Sequence, residues 1–233
     1  MLFSCAQRIL FKISGQFLQG EKSGGICVHA ARQICAHIAS LTEHQWIIVV
    51  GGGNFFRGKE SRADFGSTIS DHMGMMATYL NALALTALLK KEGVKAKIFC
   101  ARAVEGVGEC FSPSKIEECL GNKEVVICAG GLGHGCMTTD TAAVVRACEL
   151  ACDVILKGTR VQGIYDKDPV VYPEASFYPT LTYQEAIDKK LGVMDQTALV
   201  LAQENKKPMI VFSLLKGGLL GLFQKKIPYS FCS

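Results

Sequence analysis

Short apolar runs rich in branched residues alternate along the chain with longer segments whose apolar positions recur every three or four residues. The first pattern predicts strands and the second helices, and their alternation predicts an α/β fold with a mostly parallel open sheet between layers of helices. Strands are expected over Arg8 to Ile13, Trp46 to Val50, Ala96 to Cys100, Val125 to Cys128, Asp153 to Leu156 and Met209 to Phe212. Most are too uniformly apolar to be antiparallel strands with one wet face. Helical spacing links Ala31, Ile34, Cys35, Ile38 and Leu41 within His29 to Leu41. It also links Met73, Met76, Ala77, Leu80, Ala84, Ala87 and Leu88. The methionine-containing stripe reads as core rather than as a cofactor-binding surface. No Pro-rich or Ser-rich linker, internal repeat or low-complexity tract divides the sequence, so one domain of two lobes is expected, covering 1–151 and 152–233.

Composition narrows the partners. Hydrophobic residues make up 49% of the 233 and charged residues 20%, which permits a full core, and the formal charge of +4 is too mild to imply nucleic acid. The longest apolar runs, such as Trp46 to Val50 and Ala82 to Leu89, fall short of the roughly 20 residues of a membrane span. No membrane partner is expected. Eleven cysteines occur without a Cys-x-x-Cys pair, several at apolar positions such as Cys35, Cys100, Cys128 and Cys148. That is how free thiols behave in a reducing compartment, and a cytoplasmic location follows as an expectation. Leu2-Phe3-Ser4-Cys5 has the look of a lipoprotein box but lacks a preceding basic and apolar segment, so lipidation is not expected. The five histidines show no ligand spacing, and no structural metal is expected.

Ligands of open α/β sheets collect where strands end and helices begin. Two strands here run into glycines: Gly51-Gly52-Gly53-Asn54 after the second, and Gly130-Gly131-Leu132-Gly133-His134-Gly135 after the fourth, leading to Thr138-Thr139-Asp140. Either run is an anion cradle or a plain tight turn. Neither matches Gly-x-Gly-x-x-Gly, and no Gly-x-x-x-x-Gly-Lys-Ser/Thr occurs. Lys12 and Lys157 end strands in different lobes, and Arg57 follows the triple glycine. Three cations beside two glycine loops suit a transferring phosphoryl group, whose main demand is charge stabilisation. Asp140 either caps a helix or orients the lysines. Asp71 is a helix-start residue or an acceptor for ribose hydroxyls.

In combination these residues resemble a known family. Lys12-Ile13-Ser14-Gly15, Gly51-Gly52-Gly53-Asn54 with Arg57, Asp71-His72-Met73-Gly74, Thr138-Thr139-Asp140, Lys157 with Thr159, Tyr165 to Pro169 and Gly192-Val193-Met194-Asp195 occur in the order seen in bacterial uridylate kinases of the amino-acid kinase superfamily. The resemblance implies that family's α/β/α sandwich, with an acceptor lobe first and an ATP lobe second. It implies transfer from ATP, with Mg, to UMP. It would place Lys12, Ile13, Ser14, Gly15, Gly53 and Arg57 at the ATP phosphates, and Thr159, Tyr165 and Asp168 at adenosine. Gly52, Asp71, Leu132, Gly133, His134, Gly135, Cys136, Met137, Thr138 and Thr139 would hold UMP. Lys12, Lys157 and Arg57 would stabilise the transferring group, with Asp140 orienting the lysines. A cytoplasmic homohexamer activated by GTP and inhibited by UTP is the family's pattern. This chain departs from it at Gly131 to Met137, where the family carries Gly-Thr/Ala-Gly-Asn/Ser-Pro and then large apolar residues. Two other readings accompany this one: the same chemistry on another small acceptor, and a nucleotide-binding or storage protein that transfers nothing.

Overall fold

The computed structural model describes residues 6–56, 58–215 and 217–233. All six expected strands form: β1 (Arg8–Ile13), β2 (Gln45–Val50), β3 (Ala96–Cys100), β5 (Val125–Ala129), β6 (Val154–Thr159) and β10 (Met209–Ser213). Shorter β4 (Glu109–Cys110), β9 (Thr180–Leu181) and β11 (Tyr229–Cys232) complete one sheet in the order β4-β3-β5-β2-β1-β6-β10-β11-β9, and β7 (Ile164–Tyr165) pairs with β8 (Phe177–Tyr178) outside it. These additions are too short to show a periodicity in sequence. Every pairing in the large sheet is parallel except β10 with β11.

Side-chain alternation sorts the strands onto two cores. Ile9, Phe11 and Ile13 pack with helices α1 (Gly15–Gln19), α2 (Val28–Ala39), α3 (Gly58–Lys91) and α8 (Gly218–Phe223). Leu10 joins the opposite layer, made by α4 (Pro113–Gly121), α5 (Thr139–Glu149), α6 (Tyr183–Asp188) and α7 (Gln196–Glu204). The apolar set of α2 is buried as expected, from Ala31 to Leu41.

Helix α3 differs from expectation. It starts at Gly58 and is interrupted at Gly66, whose φ of 72° leaves the helical region. Met73, Met76 and Leu80 are 38%, 52% and 49% exposed, so the methionines of the stripe lie on the surface, while Ala77 and Leu88 of the same set are buried as expected. The buried side carries Ser70, Ala77, Thr78, Asn81, Ala82, Leu85 and Leu89 instead. Two stripes have helical spacing, and close packing decides between them: a Cβ on Gly52 would lie 2.7 Å from both Ala77 Cβ and Gly74 O. Only small residues fit that contact, and Met73, Met76 and Leu80 turn outward. By length and composition Ser61–Lys91 also suffices to cross a membrane, contrary to the estimate from unbroken apolar runs. Its packing against the sheet and its buried Asn81 are those of a core helix.

The ten cysteines among the described residues are free thiols. Cys35, Cys100 and Cys128 are buried as expected, whereas Cys148 is only half-buried, on the flank of α5. Cys5 lies outside the described residues.

Candidate active site

Strands β5, β2, β1 and β6 are consecutive neighbours in the sheet, so their carboxyl ends open onto one edge. Lys12 of β1 pairs in register with Lys157 of β6, and in parallel strands such partners project to the same face. Two adjacent ammonium groups repel, and α5, which covers that face, places Asp140 between them. Lys12 Nζ lies 2.6 Å from Asp140 Oδ1, and Lys157 Nζ donates to Oδ2 at 2.7 Å. All three side chains are largely shielded from water. Burial would raise the Asp140 carboxyl, but the two ammonium groups outweigh it and hold it well below the usual carboxylate range. Burial pulls Lys157 down to about 8, with Lys12 adding to the effect and Asp140 opposing it. One negative charge against two positive leaves a net cation in a poorly hydrated pocket, which suits a phosphate.

Capping of α5 falls to Thr138, whose Oγ1 accepts from the Asp140 and Thr141 amides at 3.0 and 3.3 Å. Asp140 is thereby free to orient the lysines, which resolves the two roles open in the sequence.

The triple-glycine loop is fixed by close approach. A Cβ on Gly15 would meet Gly51 O and Gly53 N at 2.7 Å and Asn54 Oδ1 at 2.6 Å, so the exits of β1 and β2 touch backbone to backbone. Asn54 and Asn81 exchange side-chain hydrogen bonds at 2.7 and 2.8 Å, and Asn81 also donates to Gly51 O at 2.7 Å. Thr139 stands beside this loop, 3.4 Å from where a Cβ on Gly51 would lie.

The loop after β5 is built differently. Gly130, Gly131, Gly133 and Cys136 all have left-handed φ, between 60° and 79°. Gly130 N donates to Thr78 Oγ1 at 2.7 Å, Arg102 Nε donates to Gly133 O at 2.6 Å, and Cys136 N donates to Asp71 Oδ2 at 2.8 Å. Tyr79 OH in turn holds Arg102 O at 3.1 Å. The Cys136 amide, aided by Arg62 at 3.1 Å, lowers the Asp71 carboxyl against its partial burial. Leu132 is half-buried and Gly133 buried, while His134, Gly135, Cys136 and Met137 are exposed.

Three expected residues lie farther along the edge. Thr159 ends β6, its hydroxyl donating to Val161 O at 2.7 Å. Tyr165 OH donates to Gln162 Oε1 at 3.2 Å, and exposed Asp168 accepts from Val170 N at 2.9 Å. Thr159 also donates to Phe212 O on β10 at 3.3 Å, and none of these side-chain bonds reaches the lysine cluster. Arg57 lies outside the described residues. Sequence reasoning missed Asn54, Thr78, Asn81 and Arg102 as loop supports; the available signal was Thr78 and Asn81, polar residues in the mostly apolar stretch Met73 to Leu89.

Comparison with known proteins agrees with this geometry. The profile of the amino acid kinase family matches residues 7–213. Curated uridylate kinases of Bartonella quintana and Bacteroides thetaiotaomicron are 45% and 43% identical, over 217 and 211 residues, covering 91% and 89% of each chain. The chain belongs to the amino acid kinase family, in its uridylate kinase branch. Solved structures of that branch have the same fold. The crystal structure of UMP kinase from Ureaplasma parvum superposes with a TM-score of 0.92 at 35% identity, covering 97% of this chain and 98% of the other. That of UMP kinase from Bacillus anthracis gives 0.91 at 27% identity, covering 98% and 96%. In this member of the branch the lysine pair at the ends of β1 and β6 is bridged by one aspartate.

Proposed function

We infer that this protein is an ATP-dependent UMP kinase of pyrimidine nucleotide synthesis, converting ATP and UMP to ADP and UDP. The observation that carries the reading is the Lys12–Asp140–Lys157 cluster at the mouth of the central strands, in a chain 43–45% identical to uridylate kinases. Phosphoryl transfer calls for little covalent chemistry and much positioned positive charge. Lys12 and Lys157 supply that charge, and Asp140 sets their spacing. The attacking group is a phosphate oxygen, already anionic, so no side chain need remove a proton from it.

Residues 1–151 act as the acceptor lobe and 152–233 as the ATP lobe, with β1 bonded to both through β2 and β6. Lys12 to Gly15, Gly53 and Arg57 line the donor phosphates; Thr159, Tyr165 and Asp168 face the adenosine. Gly52, Asp71 and the stretch Leu132 to Thr139 hold UMP, Asp71 being held ionised and able to accept from ribose hydroxyls. Magnesium, when bound, neutralises charge between the donor phosphates.

Family membership also supports a cytoplasmic homo-oligomer, hexameric, with GTP activation and UTP inhibition. The exposed stripe Phe65, Ile69, Met73, Met76, Leu80 and Leu83 on α3 suits pairing with a second copy. Leu80→Glu is expected to lower the assembly size in sedimentation. The function is tested by UDP formation from UMP, ATP and magnesium beside CMP, dCMP, AMP and acetylglutamate. UDP is expected to form fastest, and Lys12→Ala to abolish it with the fold intact. ATP binding without acceptor-dependent ADP release would instead favour the storage reading.

A further inference from the structure

We propose that Asp195 is a positioning residue: by holding Thr138 and Thr141 it locks the turn that carries Asp140 to helix α7, fixing the lysine cluster and the acceptor loop in one geometry across both lobes. The role presupposes the phosphoryl-transfer reading.

Asp195 precedes α7 and caps it, Oδ1 accepting from Ala198 N at 3.0 Å. The same carboxylate accepts from Thr138 Oγ1 at 2.5 Å and from Thr141 Oγ1 at 2.9 and 3.0 Å. Helices α5 and α7, which begin 57 residues apart in these two capping positions, thus share one anion. A hydroxyl has one proton and two lone pairs. Thr138 spends its lone pairs on the Asp140 and Thr141 amides, so its proton can go only to Asp195, and every bond of that turn has a fixed direction. Thr141 is 2% exposed, so its hydroxyl has no water to fall back on. Leu191 and Met194, both buried, anchor the Gly192–Asp195 turn in the core and keep the carboxylate from following a shifted α5.

A capping role alone would be met by asparagine, which ranks with aspartate at helix N-termini. The α5 connection is not. In Asp195→Asn one oxygen can still cap α7, but the amide group would place donors where Oδ2 accepted. Thr138 would then face three donors with two lone pairs, and the turn beneath Asp140 would have to move. Asp140 sits between two ammonium groups at 2.6 and 2.7 Å, so a small displacement unbalances both. The charged groups facing Lys157 are Asp140 from α5, Lys12 from β1 and Asp195 from the start of α7, the last favouring its protonated form.

The test compares Asp195→Asn, Thr141→Val and Thr141→Ser with the parent chain. Misplacement without loss of binding is expected to lower kcat about 10- to 100-fold and to leave KM for ATP within about twofold in Asp195→Asn. Thr141→Val is expected to reproduce part of that loss and Thr141→Ser to restore it, which keeps the proposal testable should Asp195→Asn fold poorly. In Asp195→Asn the alkaline limb of the rate profile moves to lower pH, because a negative charge favouring Lys157 protonation is gone. NMR titration of 13Cε-labelled lysine, without acceptor, reads the same shift directly. Parental kcat and an unmoved Lys157 titration would overturn the proposal, as would Thr141→Ser and Thr141→Val losing activity alike. A parent chain inactive on UMP, in which the Lys157 titration still moves on substitution, would refute the UMP reading while leaving Asp195 in its place.

Discussion

The loops after β2 and β5 both open with consecutive glycines and both face the same edge of the sheet, but the glycines do different work. In the first, Gly52 lies too close to α3, and Gly15 of the neighbouring strand exit too close to Gly51 and Gly53, for a Cβ at either, and a buried asparagine pair holds the loop. None of Gly51, Gly52 or Gly53 adopts a left-handed conformation. In the second, Gly130, Gly131 and Gly133 do; Thr78 accepts from the buried Gly130 amide, Arg102 donates to Gly133 O, and the exposed outer half is held by the Cys136 amide donating to Asp71. The first loop adjoins the lysine cluster, where charge must be fixed before the reaction. The second is the loop proposed to hold the acceptor, and a loop of few bonds can change its residues without moving the lysine cluster. On that difference, substitutions in the stretch Gly131 to Met137 should be better tolerated than substitutions at Lys12, Asp140 or Lys157.

The contrast can be broken at its rigid end first. Asp140→Ala leaves two buried lysines unpaired and is expected to cost about 3–5 kcal/mol of stability, read by urea unfolding, along with activity. Next, Gly15→Ala drives a methyl into three atoms and is expected to cost about 1–3 kcal/mol or more. Gly131→Ala meets nothing within 4 Å and should cost only the left-handed penalty, about 1 kcal/mol. Equal losses at the two glycines would erase the distinction between the loops.

The pH dependence sharpens it further. With Lys157 pulled to about 8, the rate should fall above that pH as the cation is lost. Lys157 also affects stability with a definite sign. The unfolded chain holds this proton up to about pH 10.4, more tightly than the folded chain. The penalty of folding around the protonated lysine is present below pH 8 and is relieved as pH rises from there toward 10.4. The smallest effect is expected at the loop after β5: Arg102→Ala removes one clasp, worth about 1 kcal/mol. It should raise KM for UMP about fivefold while kcat and the alkaline limb stay put.

How much of this was legible in the sequence depends on whether a feature is local or long-range. Uniform apolar runs located the six main strands because a strand buried on both faces must be apolar at every position. Lys12 and Lys157 stood out because a charge at the end of such a run has to face a ligand or a partner. Asp140 was visible but ambiguous, since a carboxylate at a helix start is a cap until something shows that Thr138 already provides one. The α3 stripe was misjudged for a related reason: two faces of one helix share the same spacing, and which one packs is settled by Gly52 on another element. The support of the acceptor loop by Thr78, Tyr79 and Arg102, and the sharing of Asp195 between α5 and α7, join residues from 23 to 57 positions apart. The sequence by itself determined the six main strands, the two strand-end lysines and the family. Tertiary structure alone decided which lysines stand in register, which side of α3 is buried and which hydroxyls Asp195 holds, because each is a contact between elements that no local pattern encodes.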